Sequence, residues 1–199
     1  MKTDAFYDPR DGERFVHKWG YADTRFEFDG PKTVRVTGDR YQISGFSMPY
    51  LIPFVEDIIK LPISESDMID EQVSYTVPDA IRHEGFESGL KSALSDGQVS
   101  QEAKDRLSHS HGQLSVDEIF RILTGGTFKR IVDVVVFPEG EEDVRTIVKF
   151  AAEHDVCLIP YGGGTNVSGA LTVPVDETRL ICSVDMRRMN KILWVDREN

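Results

Sequence analysis

The sequence is short of cysteine, of long apolar runs and of positive charge, and each shortage excludes something. Only Cys157 and Cys182 occur in 199 residues, which leaves no disulfide framework and no zinc cluster, since zinc needs four ligands at recognisable spacing. Both lie inside apolar runs, where a small buried thiol in a reducing compartment is the ordinary reading. Apolar stretches reach four or five residues, as in Val134-Val135-Val136-Phe137, against the about 20 that span a bilayer. Met1-Lys2-Thr3-Asp4-Ala5-Phe6-Tyr7-Asp8 is too polar and acidic for a secretory signal. Lys and Arg number 23 against 34 Asp and Glu, a net charge of -11, and that balance argues against nucleic-acid or anionic-membrane partners. No internal repeat and no heptad is found.

What is present reads as an α+β protein in two parts, residues 1–125 and 126–199. Residues 1–18 are polar and expected to be loosely held. Phe26 and Phe28, then Val34 and Val36, alternate with charge around Asp29-Gly30-Pro31, which predicts a hairpin. Leu51, Phe54, Val55, Ile58 and Ile59 follow helical spacing over 50–60, with Pro53 tolerable only in the first turn. The acidic, Ser-rich stretch from about 62 to 98 has weak periodicity and reads as a variable loop. Residues 100–109 look helical.

The second half is written more regularly. Ser115 with Glu118 predicts a capping box before Ile119, Ile122 and Leu123, and Gly125-Gly126 a stop. Residues 131–137 form a β-branched run of the kind buried on both faces, ended by Pro138. Glu141, Glu142 and Asp143 put negative charge on the start of a helix striped by Val144, Ile147, Val148 and Ala151. Residues 156–159 read as a second strand, so strand–helix–strand with parallel pairing is the default. Residues 180–184 and 192–195 read as two further strands.

The second strand of that unit empties into Pro160-Tyr161-Gly162-Gly163-Gly164-Thr165-Asn166-Val167-Ser168-Gly169. Three glycines allow positive φ and a close backbone approach to a ligand, and successive N–H groups make an anion-binding concavity. Thr165, Asn166 and Ser168 add side-chain donors. No Lys or Arg stands between Lys149 and Arg179, so a phosphate held here is neutralised by oriented amides. That suits a diphosphate carrying organic groups at both ends. A Walker loop is excluded because Ala170-Leu171 replaces Lys-Ser/Thr, and the Rossmann and kinase glycine patterns because position 167 is Val.

His109-x-His111 invites a metal reading, but on a helix the two rings point to different faces and no further ligand completes the set; solvated helix-end histidines are expected. His17 and His83 sit in polar surroundings. Glu139, Glu141, Glu142 and Asp143 are read as helix-start charge rather than an acid–base pair, Trp19 and Trp194 as core or rim packing, and Asp57, Glu65, Asp67, Asp70 and Glu71 as a solvated face.

Residues 131–196 resemble the first subdomain of the FAD domain of the vanillyl-alcohol-oxidase (PCMH-type) flavoproteins. The resemblance rests on Val134-Val135-Val136-Phe137-Pro138, Glu142-Asp143-Val144, the stretch from Pro160 to Asn166, and Asp185-Met186-Arg187-Arg188-Met189-Asn190-Lys191-Ile192. It implies FAD as cofactor, with Pro160, Tyr161, Gly162, Gly163, Gly164, Thr165 and Asn166 around its pyrophosphate. Thr165 stands where many members carry a flavin-linking His, which implies non-covalent FAD. Val132 and Asn166 depart from the usual Pro and Ser.

The flanks Lys18-Trp19-Gly20-Tyr21-Ala22-Asp23-Thr24, Thr37-Gly38-Asp39-Arg40-Tyr41, Asp176-Glu177-Thr178-Arg179 and Asn190-Lys191-Ile192-Leu193-Trp194-Val195-Asp196 are similar to the ether-lipid branch of that family. This branch implies exchange of the acyl chain of acyl-dihydroxyacetone phosphate for a fatty alcohol, without net redox, in peroxisomes. A homodimer is the implied assembly, and any peripheral membrane contact falls to regions outside this chain, as do the catalytic residues. No peroxisomal address is visible at Arg197-Glu198-Asn199. The alternatives are a 2-hydroxy-acid dehydrogenase of the same superfamily, or a truncated product without activity.

Overall fold

The computed structural model describes residues 21, 23–68, 76–112, 115–124 and 128–196. The chain divides into two compact units, represented by residues 21–68 and 76–196 of that set. The expectations for residues 1–18, for His17 and Trp19, for Asp70 and Glu71, and for a stop at Gly125-Gly126 fall outside the described residues.

In the first unit the predicted hairpin is present. β1 (Phe26–Phe28) pairs antiparallel with β2 (Val34–Val36) in the register Phe26↔Val36, and β3 (Ser47–Met48) adds to the other edge of β2. Val34 and Val36 point inward and are buried, as strand alternation requires. α1 (Leu51–Ile59) carries Pro53 in its first turn, where no intrahelical donor is lost, and ends at Lys60 in the left-handed region with φ 57°. Its amphipathic stripe is only partly used. Ile52 is buried, but Phe54, Ile58 and Ile59 stay exposed, because three short strands offer a nine-residue helix too small a surface to cover. An ion pair from Lys32 to Glu56 ties the hairpin to α1, and Glu56 also accepts the Ile63 N–H at 2.7 Å.

The second unit is a four-stranded sheet with helices. α2 (Glu84–Ala93), β4 (Val99–Ser100), α3 (Ala103–Ser108) and α4 (Val116–Leu123) precede β5 (Val134–Val136), α5 (Glu141–Glu153), β6 (Cys157–Tyr161) and β7 (Ile181–Asp185). The strand order is β4-β5-β7-β6. β7 runs parallel to both β5 and β6, and β4 is antiparallel at the edge. The strand–helix–strand unit thus has the expected sense, with a correction: β5 and β6 do not pair directly, because β7 inserts between them. β7 is buried along its whole length, as the central strand must be. Within this unit α2 and α3, which precede residue 126, pack with the sheet that follows it.

One sheet face buries Phe86, Leu90, Val134, Val136, Ile147, Ala151, Cys182 and Val184; the other buries Val132, Val135, Ile159, Tyr161, Leu171, Val173 and Ile181. Burial pushes the Cys182 thiol above its ordinary range, which leaves it an inert protonated packing group. α2 corrects the reading of 62–98 as a loop. Phe86, Leu90 and Leu94 recur every fourth residue and all are buried, His83 caps the helix by accepting the Phe86 N–H at 3.2 Å, and a 3₁₀ turn at Glu65–Asp67 supplies further order. Residues 192–195 are not a strand. Ile192, Leu193, Trp194 and Val195 are exposed, Trp194 by 78%, so its expected packing role is also corrected.

The Ser115–Glu118 capping box does not form. Ser115 donates to Asp117 instead, at 2.9 Å, and Glu118 is engaged elsewhere. The acidic start of α5 behaves as expected: Asp143 accepts the Glu139 N–H at 2.8 Å and is held below the usual carboxylate range by that bond and one from Gln98. Among the described residues no helix is long and apolar enough to cross a membrane.

Candidate cofactor site

Parallel strands β6 and β7 end side by side, with Tyr161 opposite Asp185, and the glycine loop leaves from that edge. Ligands of α/β sheets gather at the carboxyl ends of the strands, where loops diverge. Of the three consecutive glycines only Gly164 needs positive φ, at 73°. Gly162 serves a different purpose: a Cβ there would meet nothing within 4 Å, so the backbone faces open space. Among the described residues the N–H groups of Gly162, Gly163, Gly164 and Thr165 donate to no protein acceptor. Gly162, Gly163 and Thr165 are exposed and Gly164 is buried; amides without partners, on a strip whose first three residues lack side chains, suit an anion that brings its own oxygens.

Asn166 differs from its expected role. Its backbone is left-handed, φ 54°, and its side chain is consumed internally: Oδ1 accepts the Leu171 N–H at 2.8 Å and Nδ2 donates to Glu118. It braces the loop and is not a free donor. Thr165 and Ser168 remain exposed. Pro160 is exposed and has no N–H to offer, while Tyr161 is buried, its ring 4.4 Å from that of His109 and 5.3 Å from the Arg187 guanidinium.

The histidines correct the expectation of a solvated pair. His109 and His111 are 3% and 1% exposed. His109 faces Asp185 through Nε2 at 2.9 Å and the Asp105 carbonyl through Nδ1 at 2.7 Å, and the His111 ring lies nearly parallel to Phe128. Burial drives Asp185 upward, but bonds from His109 and Arg187 outweigh it and hold the carboxyl well below its usual range. No group of three or more His, Cys, Asp or Glu able to hold a metal occurs among the described residues.

Sequence reasoning assigned no part of this surround. Asp185 lay inside a motif, but nothing marked its partner 76 residues away. Glu118 was read as a cap because local spacing allowed it; its Oε2 accepts the Gly112 N–H at 2.8 Å and Asn166 Nδ2 at 3.1 Å.

Comparison with known proteins agrees with this geometry. Residues 132–199 match the family model described as FAD binding domain. A Caenorhabditis elegans protein named alkyldihydroxyacetonephosphate synthase is 34% identical over 181 residues, covering 91% of this chain and 30% of that protein. The Dictyostelium discoideum protein of the same name is 31% identical, covering 90% of this chain and 30% of its own. A solved alkyldihydroxyacetonephosphate synthase structure superposes with a TM-score of 0.79 at 28% identity, over 93% of this chain and 34% of that one. The chain spans about a third of the length of the curated relatives it matches, and FAD is the cofactor of the domain that residues 132–199 match. Over nine-tenths of its length the chain is similar, in sequence and in fold, to the amino-terminal part of the alkyldihydroxyacetonephosphate synthases, and its residues 132–199 match an FAD-binding domain.

Proposed function

We propose that the chain forms the pyrophosphate-holding part of a flavoenzyme that exchanges the acyl chain of acyl-dihydroxyacetone phosphate for a fatty alcohol, in peroxisomal ether-lipid synthesis. The observation that carries the cofactor assignment is the run of amides from Gly162 to Thr165 without internal acceptors, at the ends of two parallel strands. Residues 160–166 would hold FAD without a covalent link: the glycine amides donate to the phosphate oxygens, Thr165 stands at the rim, and Tyr161, in contact with His109 and Arg187, anchors the entry to the loop. With no Lys or Arg between 149 and 179, neutral dipoles carry the anion. When bound, FAD supplies an electrophilic ring that serves as a covalent trap without net oxidation. The residues that act on substrate belong, in this reading, to the two-thirds of the relatives that this chain does not cover. Half a cofactor pocket forfeits the contacts that offset ordering and desolvation, so the 199-residue chain alone is inactive and holds FAD weakly.

The test is a flavin-fluorescence titration of the chain and of Gly162→Val. A Cβ at 162 meets nothing within 4 Å, so thermal unfolding stays within about 2 °C of the unmodified chain while the weak FAD quenching disappears; surface substitutions of this kind stay within about 0.5 kcal/mol. Unchanged quenching in Gly162→Val overturns the cofactor assignment. Yellow colour that stays with the chain through gel filtration overturns the claim of an incomplete pocket. In an active full-length relative, bleaching of the flavin by a 2-hydroxy acid would favour dehydrogenase chemistry.

A further inference from the structure

A strip of glycine amides binds an anion well only if something else fixes its shape, because ordering a free residue costs conformational entropy and glycine loses the most. We propose that Glu118, on the first turn of α4 and 48 residues from Asn166, is the positioning residue that sets the glycine loop. The inference rests on the cofactor reading above, and it concerns residues outside the loop.

Three observations meet at Glu118. Its carboxylate receives two neutral donors, the Gly112 N–H at 2.8 Å and Asn166 Nδ2 at 3.1 Å. Asn166 uses its other end to accept the Leu171 N–H at 2.8 Å, closing a bracket over residues 166–171. Gly112 then lies so close to the loop that a Cβ on it would sit 2.2 Å from Asn166 Cβ and 2.7 Å from the Thr165 carbonyl oxygen. The loop's far end is therefore gripped by a backbone contact that only glycine permits and by a carboxylate that bonds both sides of the contact. A carboxylate suits this place because it presents acceptors alone, and charge-assisted bonds are about twice as strong as neutral ones. With the amide of Asn166 turned toward Glu118, its backbone keeps a left-handed φ of 54°, a conformation few side chains sustain unaided. Glu118 touches no substrate in this scheme; it acts through Asn166.

The experiment uses the 199-residue chain labelled with nitrogen-15, with ADP as the probe for the diphosphate. In the unmodified chain, millimolar ADP shifts the amide resonances of Gly162 to Thr165. In Glu118→Ala the ADP dissociation constant rises about tenfold and exchange of the Gly112 and Leu171 amides quickens at least tenfold. The Val134–Val136 amides keep their protection. Asn166→Gly, which accepts the same φ without strain, gives a similar loss, and the double variant is no weaker than either single one, since both cut one linkage. Unaltered ADP affinity and Gly112 and Leu171 exchange in Glu118→Ala overturn the proposal and leave the cofactor reading standing. Losses that add in the double variant overturn it as well. Absence of any ADP-induced shift in the unmodified chain overturns the cofactor reading, while the exchange arm still decides whether Glu118 orders the loop. Should Glu118→Ala unfold, seen as lost protection at Val134–Val136, the exchange and ADP arms of Asn166→Gly decide alone: unchanged values overturn the proposal.

Discussion

Asp133 is the most exacting test of how this sheet is held together. Its side chain is fully buried, and its two oxygens receive four donors. Oδ1 accepts the Ile81 N–H at 2.8 Å and Arg130 Nη1 at 2.7 Å; Oδ2 accepts the Ile181 N–H at 2.8 Å and Arg130 Nη2 at 2.6 Å. One carboxylate thus ties the segment before α2 to the starts of β5 and β7, upstream of the edge that carries the glycine loop. Asp133→Asn keeps the shape and turns one acceptor into a donor that faces two donors. Each orphaned buried donor costs about 1–3 kcal/mol, and breaking one side of a buried ion pair costs about 3–5 kcal/mol. Arg130 retains the Ile131 and Arg179 carbonyls as partners, which moderates the second figure. A loss of about 4 kcal/mol is expected, and for a chain of this size that lowers Tm by roughly 8–16 °C. Urea unfolding followed by circular dichroism measures it. Arg145→Ala provides the contrast, because its pair with Glu141 is exposed on both sides and is worth under about 1 kcal/mol. A loss under about 1 kcal/mol for Asp133→Asn, or one no larger than that for Arg145→Ala, would refute the reasoning.

Three further outcomes are expected. Phe86→Ala, at a fully buried position of α2, costs about 3–5 kcal/mol in urea unfolding; a cost below about 1 kcal/mol would mean α2 does not hold the sheet. Asp185 is held below its unfolded value of about 3.9, so its contribution is complete above that pH and fades as pH falls toward and through the folded value. The urea midpoint therefore drops below about pH 4, and less steeply in Asp185→Asn; equal slopes would sink this. Trp194→Ala, at a side chain 78% exposed, changes the free energy of urea unfolding by no more than about 0.5 kcal/mol, and a larger change would show that residues 192–195 pack after all.

Strands and helices were legible where one short pattern decided the matter. The β-branched run at 131–137 could only be a strand buried on both faces, and Pro53 fixed where α1 begins. α2 was hidden because its mean composition is polar and its three core contacts, Phe86, Leu90 and Leu94, are spread among Ser, Gly, Lys and Glu. Residues 192–195 failed in the opposite direction. They have strand composition, but a strand needs a hydrogen-bonding neighbour, and the described residues offer none.

The candidate site divides along the same line. Its glycine loop was readable because anion binding by amides requires contiguous residues, and contiguity is what a sequence displays. Its support was unreadable because each bond bridges distant residues: His109 to Asp185, Glu118 to Asn166, Gly112 against Thr165. For two of these residues a local explanation was available and cheaper. Glu118 three residues after Ser115 spells a capping box, and His109 near a helix end spells a solvated ring. The structure prefers the distant partner because a half-buried carboxylate or a buried imidazole gains more from a fixed donor or acceptor than from a frayed helix end. A polar residue whose local role is satisfied only weakly, in a chain segment adjoining a glycine-rich loop in space, is therefore the kind of residue that sets the loop's shape. Glu118 meets that description here, and Ser115, which donates to the Asp117 carboxylate instead of accepting a backbone N–H of α4, shows the local role left vacant.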